Sequence, residues 1–175
     1  MNDVINAIYT RRSVRKFTDK AIPRDVLTQI ADCARYAPSA CNFQTWHFTV
    51  VQRPDAIESL AKALRTALNR DEGYNFYKPN ALILCSNERS SKFSVEDCAC
   101  AMQNIMLSAR SLGVGSVWIN QFKGVCDLPE VRAALDAIGF PKDHLIWGTA
   151  ALGYPADSNP FYRGEKKSGN ISYVI

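Results

Sequence analysis

Apolar residues recur along the chain at two spacings, and the two spacings alternate. A spacing of three to four residues is typical of helices with one buried face, and it occurs in segments 4–8, 26–34, 57–68 and 129–138. Short runs rich in β-branched, aromatic or continuously apolar residues predict strands, and these runs lie at 46–51, 81–85, 116–119 and 146–152. Interleaved helices and strands indicate an α/β or α+β domain built in packed layers.

The segment from Ser94 to Leu112 is apolar around nearly its whole circumference. Because Ser94 and Asp97 have the spacing of a capping box, we expect the helix to begin there with a side-chain cap. A helix with so little polar surface is either buried on most sides or placed at a subunit interface. The closing residues 171–175 are rich in β-formers, and we expect them to pair with another strand.

Size and composition narrow the class of protein. The chain has 175 residues, of which 47% are hydrophobic and 22% are charged, which predicts one folded domain over 1–175 and excludes a mainly disordered chain. No apolar run reaches the length of a membrane span, and the first residues lack a signal-peptide pattern, so we expect a cytoplasmic protein. The six cysteines form no CxxC pair, which favours reduced thiols and predicts no metal centre.

Basic residues are concentrated near both ends of the chain, although the net charge is only +4. In an extended segment Arg11, Ser13 and Arg15 point to one side and Arg12 to the other. A planar guanidinium matches a phosphate group, so this pattern fits either a solvated basic face or a site for an anionic ligand. The two common glycine-rich nucleotide loops are absent. Nucleic-acid binding is disfavoured, because the aromatic residues do not interleave with the arginine and lysine clusters.

Two further segments have the composition of ligand-binding loops. Residues 37–44 (APSACNFQ) combine a stiff proline, small residues and amide side chains, which lets a planar ring approach the backbone. Residues 118–122 (WINQF) end a predicted strand, where backbone amides become available to a heterocycle. Each segment taken alone is better explained as an ordinary connection between elements.

Taken together, the motifs RRSVRKF, APSACNFQTWHF and LGVGSVWIN resemble, in order and spacing, those of the nitroreductase-like, FMN-dependent flavoproteins. The ending GYPADSNPFYRGEKK is similar to that family's tail. The resemblance implies an α+β domain with three α/β/α layers and a mixed, mostly antiparallel central sheet. It also implies an intertwined homodimer that exchanges C-terminal strands and holds two FMN molecules, each between both chains.

The resemblance further implies which residues bind the cofactor. The phosphate and polyol of FMN would be held by Arg11, Arg12 and Ser13, and Arg15 would lie near the pyrimidine edge of the flavin. The partner chain would border the cofactor with Pro38, Ser39, Ala40, Asn42 and Gln44. Backbone groups of Asn120 and Gln121 would lie near the reactive edge. From the tail, the residues expected to reach the phosphate are Arg163 and either Lys166 or Lys167.

The resemblance assigns no flavin contact in the 69–77 loop. Loop position makes four aromatic residues candidates for a substrate wall, namely Tyr74, Phe76, Tyr77 and Phe122.

The activity implied by the resemblance is that of an FMN-dependent NAD(P)H oxidoreductase. Flavin N5 would pass a hydride from NADH or NADPH to a small electrophile, such as a nitroaromatic or a quinone, in a ping-pong cycle without a catalytic side chain. One alternative is a specialised relative of the same fold, of the ene-reductase or reductive dehalogenase type. Another is a flavin-binding or storage protein without turnover.

Overall fold

The computed structural model describes residues 2–165 and 169–175. Within these residues, helices and strands alternate in the order predicted from the apolar pattern. The elements are α1 (Asp3–Thr10), α2 (Arg24–Arg35), β1 (Trp46–Val51), α3 (Pro54–Leu68), β2 (Ala81–Glu88), α4 (Ser94–Ser111), β3 (Gly115–Ile119), α5 (Pro129–Ala137) and β4 (His144–Gly153). A short 3-10 turn at Ala40–Asn42 precedes β1.

The four described strands form one sheet in the order β1-β2-β4-β3. All three strand pairs are antiparallel. An isolated parallel bridge joins Ser13 to Ser116, so the segment after α1 lies along the outer side of β3. The sheet therefore has β1 at one edge and β3 with this N-terminal segment at the other.

Alternation along the central strand β2 builds a core on each face of the sheet. Leu82 and Leu84 pack with α3 and α5 in one buried cluster. Ala81, Ile83 and Cys85 pack with α2 and α4 in the other. Side chains on successive strand residues point to opposite faces, so the continuously apolar part of β2, from Ala81 to Cys85, needs a helical layer on each side. The three-layer α+β architecture is thus confirmed.

The predicted capping box at the start of α4 is wrong. Phe93 holds the N-cap position and Ser94 is the first helical residue. The Ser94 hydroxyl donates to the carbonyl oxygens of Ser91 at 3.0 Å and Glu88 at 3.3 Å. Asp97 accepts a hydrogen bond from the Ala40 amide at 2.9 Å instead of supporting the helix terminus. The carboxylate that the local pattern assigns to the cap is therefore bonded to the loop around Ala40, which is distant in sequence.

Much apolar surface stays uncovered in the single chain. On α1, Val4, Ile5 and Ile8 are exposed. The C-terminal segment 171–175 forms no strand, and its apolar side chains are also exposed. Within the described residues no helix has both the length and the apolarity needed to cross a membrane.

Candidate functional site

The first motif runs beside the edge of the sheet with alternating side-chain directions. The Val14 amide donates to the Ser116 carbonyl at 3.0 Å, and the Val14 side chain is buried while Ser13 and Arg15 are exposed. Gly115 makes this approach possible, since a Cβ at that position would lie 2.9 Å from the Val14 Cβ. The backbone therefore presents Ser13 and Arg15 on the same open side, as the spacing predicts.

Arg11 is a half-buried cation that forms no ion pair within the part of the chain that the structure describes. Burial lowers the pKa of its guanidinium below the ordinary value, and the neighbouring charge of Arg12 lowers the pKa further. Among the described residues no carboxylate lies within ion-pair distance of Arg11, Arg12, Arg15 or Arg163. An uncompensated, partly desolvated positive charge is stabilised by an anion, so the donor set here fits the phosphate of FMN.

Arg12 is engaged differently from its neighbour. Its Nη1 donates to the carbonyl oxygens of Tyr9 at 3.1 Å and Arg11 at 2.7 Å. Its guanidinium lies 4.8 Å from the centre of the Tyr162 ring. Arg12 thus joins the end of α1 to the C-terminal tail.

The tail brings a third arginine to the first motif. The Arg163 guanidinium lies 4.4 Å from the centre of the Tyr9 ring at the end of α1. Of the basic tail residues expected at the phosphate, Arg163 is therefore near this motif. Lys166 and Lys167 lie outside the described residues.

The loop 38–44 has a strained backbone that its own polar groups hold in place. Cys41, Asn42 and Gln44 have φ angles of 51°, 57° and 52°, a region that side chains other than glycine rarely adopt. The Ser39 hydroxyl accepts from the Gln44 amide at 3.2 Å, and the Gln44 side chain donates to the Asn42 side chain at 2.6 Å. Strain of this kind is characteristic of binding and catalytic loops.

A hydrogen bond to α4 anchors the same loop on the helical layer. Asp97 on α4 is 4% exposed and accepts from the Ala40 amide. Ala40 therefore uses its N–H within the chain, whereas Pro38, Asn42 and Gln44 are exposed. These exposed groups are the part of the loop that a ligand can reach.

The first motif and the loop 38–44 lie at opposite corners of the sheet. The loop leads into Trp46 on edge strand β1, at the level of Leu145 on β4, whereas the first motif pairs with Ser116 on edge strand β3, at the level of Leu152. Residues 145 and 152 are about 23 Å apart along the strand, and the two edges are about 14 Å apart across it. A single chain does not bring the two motifs to one small ligand.

Asn120 and Gln121 follow the end of β3. Asn120 is exposed and Gln121 half-buried, and the Asn120 amide donates to the side-chain oxygen of Gln121 at 3.0 Å. The Asn120 N–H is one of the backbone groups that the resemblance places near the reactive edge of the flavin, and here it is bonded within the chain.

A strained turn that the sequence left unassigned lies beside Arg15. Phe76, Tyr77 and Lys78 have φ angles of 55°, 69° and 51° in succession, and the Arg15 guanidinium lies 5.8 Å from the centre of the Tyr77 ring. No glycine or Asn-Gly pair marks this turn in the sequence, so the usual signal for left-handed backbone is missing.

The expected substrate wall is partly wrong. Phe76 and Phe122 are 0% and 1% exposed, and their rings stack in the core with centroids 5.9 Å apart. Tyr74 is partly buried against the same cluster. Of the four aromatic residues, Tyr77 is exposed and remains available to a ligand.

Comparison with known proteins assigns the chain and its fold to one family. The family model described as the nitroreductase family matches residues 8–154. The chain belongs to the nitroreductase family. A relative from Archaeoglobus fulgidus, provisionally named NADH dehydrogenase/NAD(P)H nitroreductase, is 33% identical over 175 residues, which cover 95% of this chain and 94% of the relative. This membership supports an oxidoreductase.

Solved structures of nitroreductase-family proteins agree with this assignment. The nitroreductase of Bacteroides fragilis, whose crystal structure contains bound FMN, superposes with a TM-score of 0.91 over the full length of both chains at 37% identity.

A sequence relative with a different printed activity matches over a shorter stretch. The CLA biosynthesis enone reductase of Lactiplantibacillus plantarum is 42% identical over 64 residues, which cover 36% of this chain and 30% of the relative.

Proposed function

We propose that this nitroreductase-family chain is an FMN-dependent NAD(P)H oxidoreductase that passes a hydride to a small electrophile such as a nitroaromatic or a quinone. The observation that carries the proposal is Arg11, a half-buried guanidinium whose charge is uncompensated among the described residues. The full-length similarity to the Bacteroides fragilis protein with bound FMN supports FMN as the anionic ligand.

In this proposal the residues of the first motif and the tail bind the cofactor. Arg11, Ser13 and Arg163 hold the phosphate and polyol, because guanidinium and hydroxyl groups donate strong hydrogen bonds to phosphate oxygens. Arg15, next to the Tyr77 ring, lies near the pyrimidine edge, where its positive charge favours negative charge on the ring. Bound FMN supplies hydride transfer at N5, so that no side chain needs to act as a nucleophile.

We propose that the loop 38–44 borders the cofactor held by the other copy of a homodimer. The corner-to-corner separation of this loop from the first motif supports a site shared between two chains. Pro38, Asn42 and Gln44 offer exposed groups for that contact. A two-fold dimer would repeat the arrangement and provide two equivalent sites.

The C-terminal segment 171–175 is the proposed link between the two copies. Strand β1 lies at the edge of the sheet, and a groove beside it is lined by Tyr36, Trp46 and Phe48. An edge strand offers unpaired amides and carbonyls to another strand. The exposed β-prone end of one copy is therefore proposed to pair with β1 of its partner.

The proposal is tested with a visible spectrum of the purified protein, followed by anaerobic titrations with NADH and NADPH. FMN has about 31 heavy atoms, and about 0.3 kcal/mol each gives a submicromolar affinity, so we expect FMN to copurify with the protein. NADH or NADPH should then bleach the flavin absorbance rapidly. Reoxidation by a nitroaromatic, a quinone, an enone or a halogenated phenol then separates the main proposal from the specialised relatives. A colourless protein that FMN does not reconstitute contradicts the proposal, and bound FMN that reduced nicotinamide does not bleach indicates storage.

A further inference from the structure

Three contacts between arginines and aromatic rings hold the C-terminal tail on its own chain. Arg110 of α4 lies 4.5 Å from the centre of the Phe161 ring, Arg12 lies 4.8 Å from that of Tyr162, and Arg163 packs on Tyr9 of α1. Two successive tail residues, Phe161 and Tyr162, thus provide rings, and the next residue, Arg163, provides a cation. We refer to the three pairs as the tail clasp.

Arg12 is the most firmly held member of the tail clasp. Both hydrogen bonds of its Nη1 go to carbonyl oxygens at the C-terminal end of α1, where a positive charge is stabilised by the helix dipole. Gly164 lies directly against it, because a Cβ there would be 2.8 Å from Nη2 of Arg12. The guanidinium is therefore enclosed by α1 on one side and by the tail on the other.

Arg110 connects the same place to α4. Its Nε donates to the Thr10 hydroxyl at 2.9 Å, and the Thr10 hydroxyl donates to the Asn6 carbonyl at 2.7 Å. The end of α1, the side of α4 and the tail consequently form one contact network.

We propose that Arg12 is a positioning residue that holds the tail so that Arg163 stands at the anionic site, and that Arg12 does not itself bind the phosphate. This inference rests on the proposed function for the identity of the ligand. It also changes the role that the family resemblance implies for Arg12. Arg11, by contrast, makes no side-chain hydrogen bond to any described residue and remains available to the phosphate.

The division of roles follows from the number of contacts each arginine already has. A ring face and two carbonyl oxygens hold Arg12 in the absence of ligand. Arg11 has no such contacts among the described residues, so a phosphate draws its guanidinium away from nothing. A cation over an aromatic ring contributes a few-fold to about thirtyfold in an equilibrium constant, depending on its exposure to water. Arg12 is therefore expected to affect FMN binding through the tail.

The test compares Arg12→Ala, Tyr162→Ala and the double variant with wild type, and uses Arg24→Ala as the control for loss of an exposed arginine. Two quantities are measured on the full chain: the Kd of FMN from flavin fluorescence, and the rate at which trypsin cleaves after Arg163, read by mass spectrometry. The cleavage rate is also measured without FMN, so it reports on the tail clasp even if the proposed function fails. Arg12→Lys tests rescue, because lysine retains the cation.

We expect each single variant to speed cleavage after Arg163 and to weaken FMN by about three- to tenfold. In the double variant, the Kd of FMN and the cleavage rate should rise no further than in the more strongly affected single variant, since both changes break the same contact. Arg12→Lys should bring the Kd of FMN and the cleavage rate back close to the wild-type values, and Arg24→Ala should match wild type. The inference is overturned if Arg12→Ala leaves the cleavage rate unchanged, or if its effect on Kd multiplies with that of Tyr162→Ala. A wild-type protein that does not bind FMN contradicts the proposed function, while the cleavage rates still decide the tail clasp.

Discussion

Arg11 and Arg12 are adjacent in the chain, but their guanidinium groups have different surroundings. Arg12 is held by carbonyl oxygens and a ring face, whereas burial and the charge of Arg12 lower the pKa of the Arg11 side chain. A cation that is disfavoured in the free protein gains most from an anionic ligand. This contrast makes Arg11 the residue whose removal best tests phosphate binding.

Replacement of Arg11 by alanine is expected to weaken FMN binding at least tenfold, because a charge-assisted hydrogen bond to phosphate contributes about 1.5–3 kcal/mol. The measurement is the flavin content after exhaustive dialysis together with the Kd of added FMN. Arg24→Ala serves as the matched control, since Arg24 is exposed at the start of α2. Full retention of flavin by the Arg11→Ala protein would show that this residue does not hold the cofactor.

His144 makes stability depend on pH. It is 8% exposed on β4; burial lowers its pKa, Asp143 and Glu88 oppose the shift, and His47 adds to it. The unfolded chain therefore binds a proton more readily than the folded protein, and the free energy of unfolding falls as the pH drops below about 6.5.

Urea unfolding at pH 7.5 and pH 5.5 measures this effect. We expect wild type to lose stability over this interval and His144→Gln to lose less. His47→Gln keeps the buried imidazole and removes only the smaller effect of the His47 charge, so it should lose nearly as much as wild type. The carboxylates that titrate at lower pH are common to all three proteins. Equal losses in wild type and in His144→Gln would remove His144 as the source of the pH dependence.

At the scale of the elements, α4 fixes the shape of the loop 38–44. Asp97 is buried in the first turns of α4, where the helix N-terminus stabilises a carboxylate, and it accepts from the Ala40 amide 57 residues away in sequence. The loop contains three residues with positive φ, each of which costs free energy that contacts elsewhere must offset. Asp97 is the contact that ties this strained loop to the helical layer.

Replacing Asp97 by alanine leaves the Ala40 amide without a partner and should destabilise the fold by about 1–3 kcal/mol. The specific readout is amide hydrogen exchange in peptides that cover residues 37–48. We expect faster exchange in Asp97→Ala and nearly normal exchange in Asp97→Asn, which keeps an acceptor oxygen. Unchanged exchange in the alanine variant would mean that the loop holds its shape without α4.

The apolar pattern predicts the elements well because each helix and strand buries the face that its spacing defines. β1 is present at 46–51 as predicted, and the continuously apolar run at 81–85 extends to Glu88 as the central strand. Such patterns do not predict contacts between residues that are far apart in the sequence. The Ser94–Asp97 spacing predicted a local cap, but the carboxylate bonds to a loop that precedes β1.

The candidate site was less predictable than the fold. Alternation correctly placed Ser13 and Arg15 on one open side around the buried Val14. The three left-handed residues of the turn 76–78 carry no glycine signal, so their position beside Arg15 emerges only from tertiary packing. Phe76 and Phe122, which are candidates for a substrate wall by loop position, are instead buried and stacked on each other in the core.

At the scale of the whole molecule, the single chain is incomplete in two respects. Its two motifs stand at opposite corners of the sheet, and apolar side chains of α1 and of residues 171–175 are exposed. A second copy would resolve both features at once, since it would supply the missing loop and cover the apolar surface.

Sedimentation of the flavin-bound protein is expected to give twice the 19.5 kDa of one chain. Removal of residues 171–175 should shift the equilibrium toward the monomer and release FMN, because the proposed strand pairing along β1 is lost. A species of 19.5 kDa with FMN bound would contradict the dimer and the shared site together.

The shared cofactor site is tested most directly by mixing two defective chains. One chain carries Arg11→Ala and Ser13→Ala, and the other carries Ser39→Ala and Asn42→Ala; the FMN content of each homodimer and of the coexpressed mixture is measured. If each site takes the first motif from one copy and the loop from the other, both homodimers lose FMN, while every mixed dimer keeps one intact site and the mixture regains about a quarter of the wild-type flavin. A mixture that binds no more FMN than the separate variants would contradict a site built from two chains.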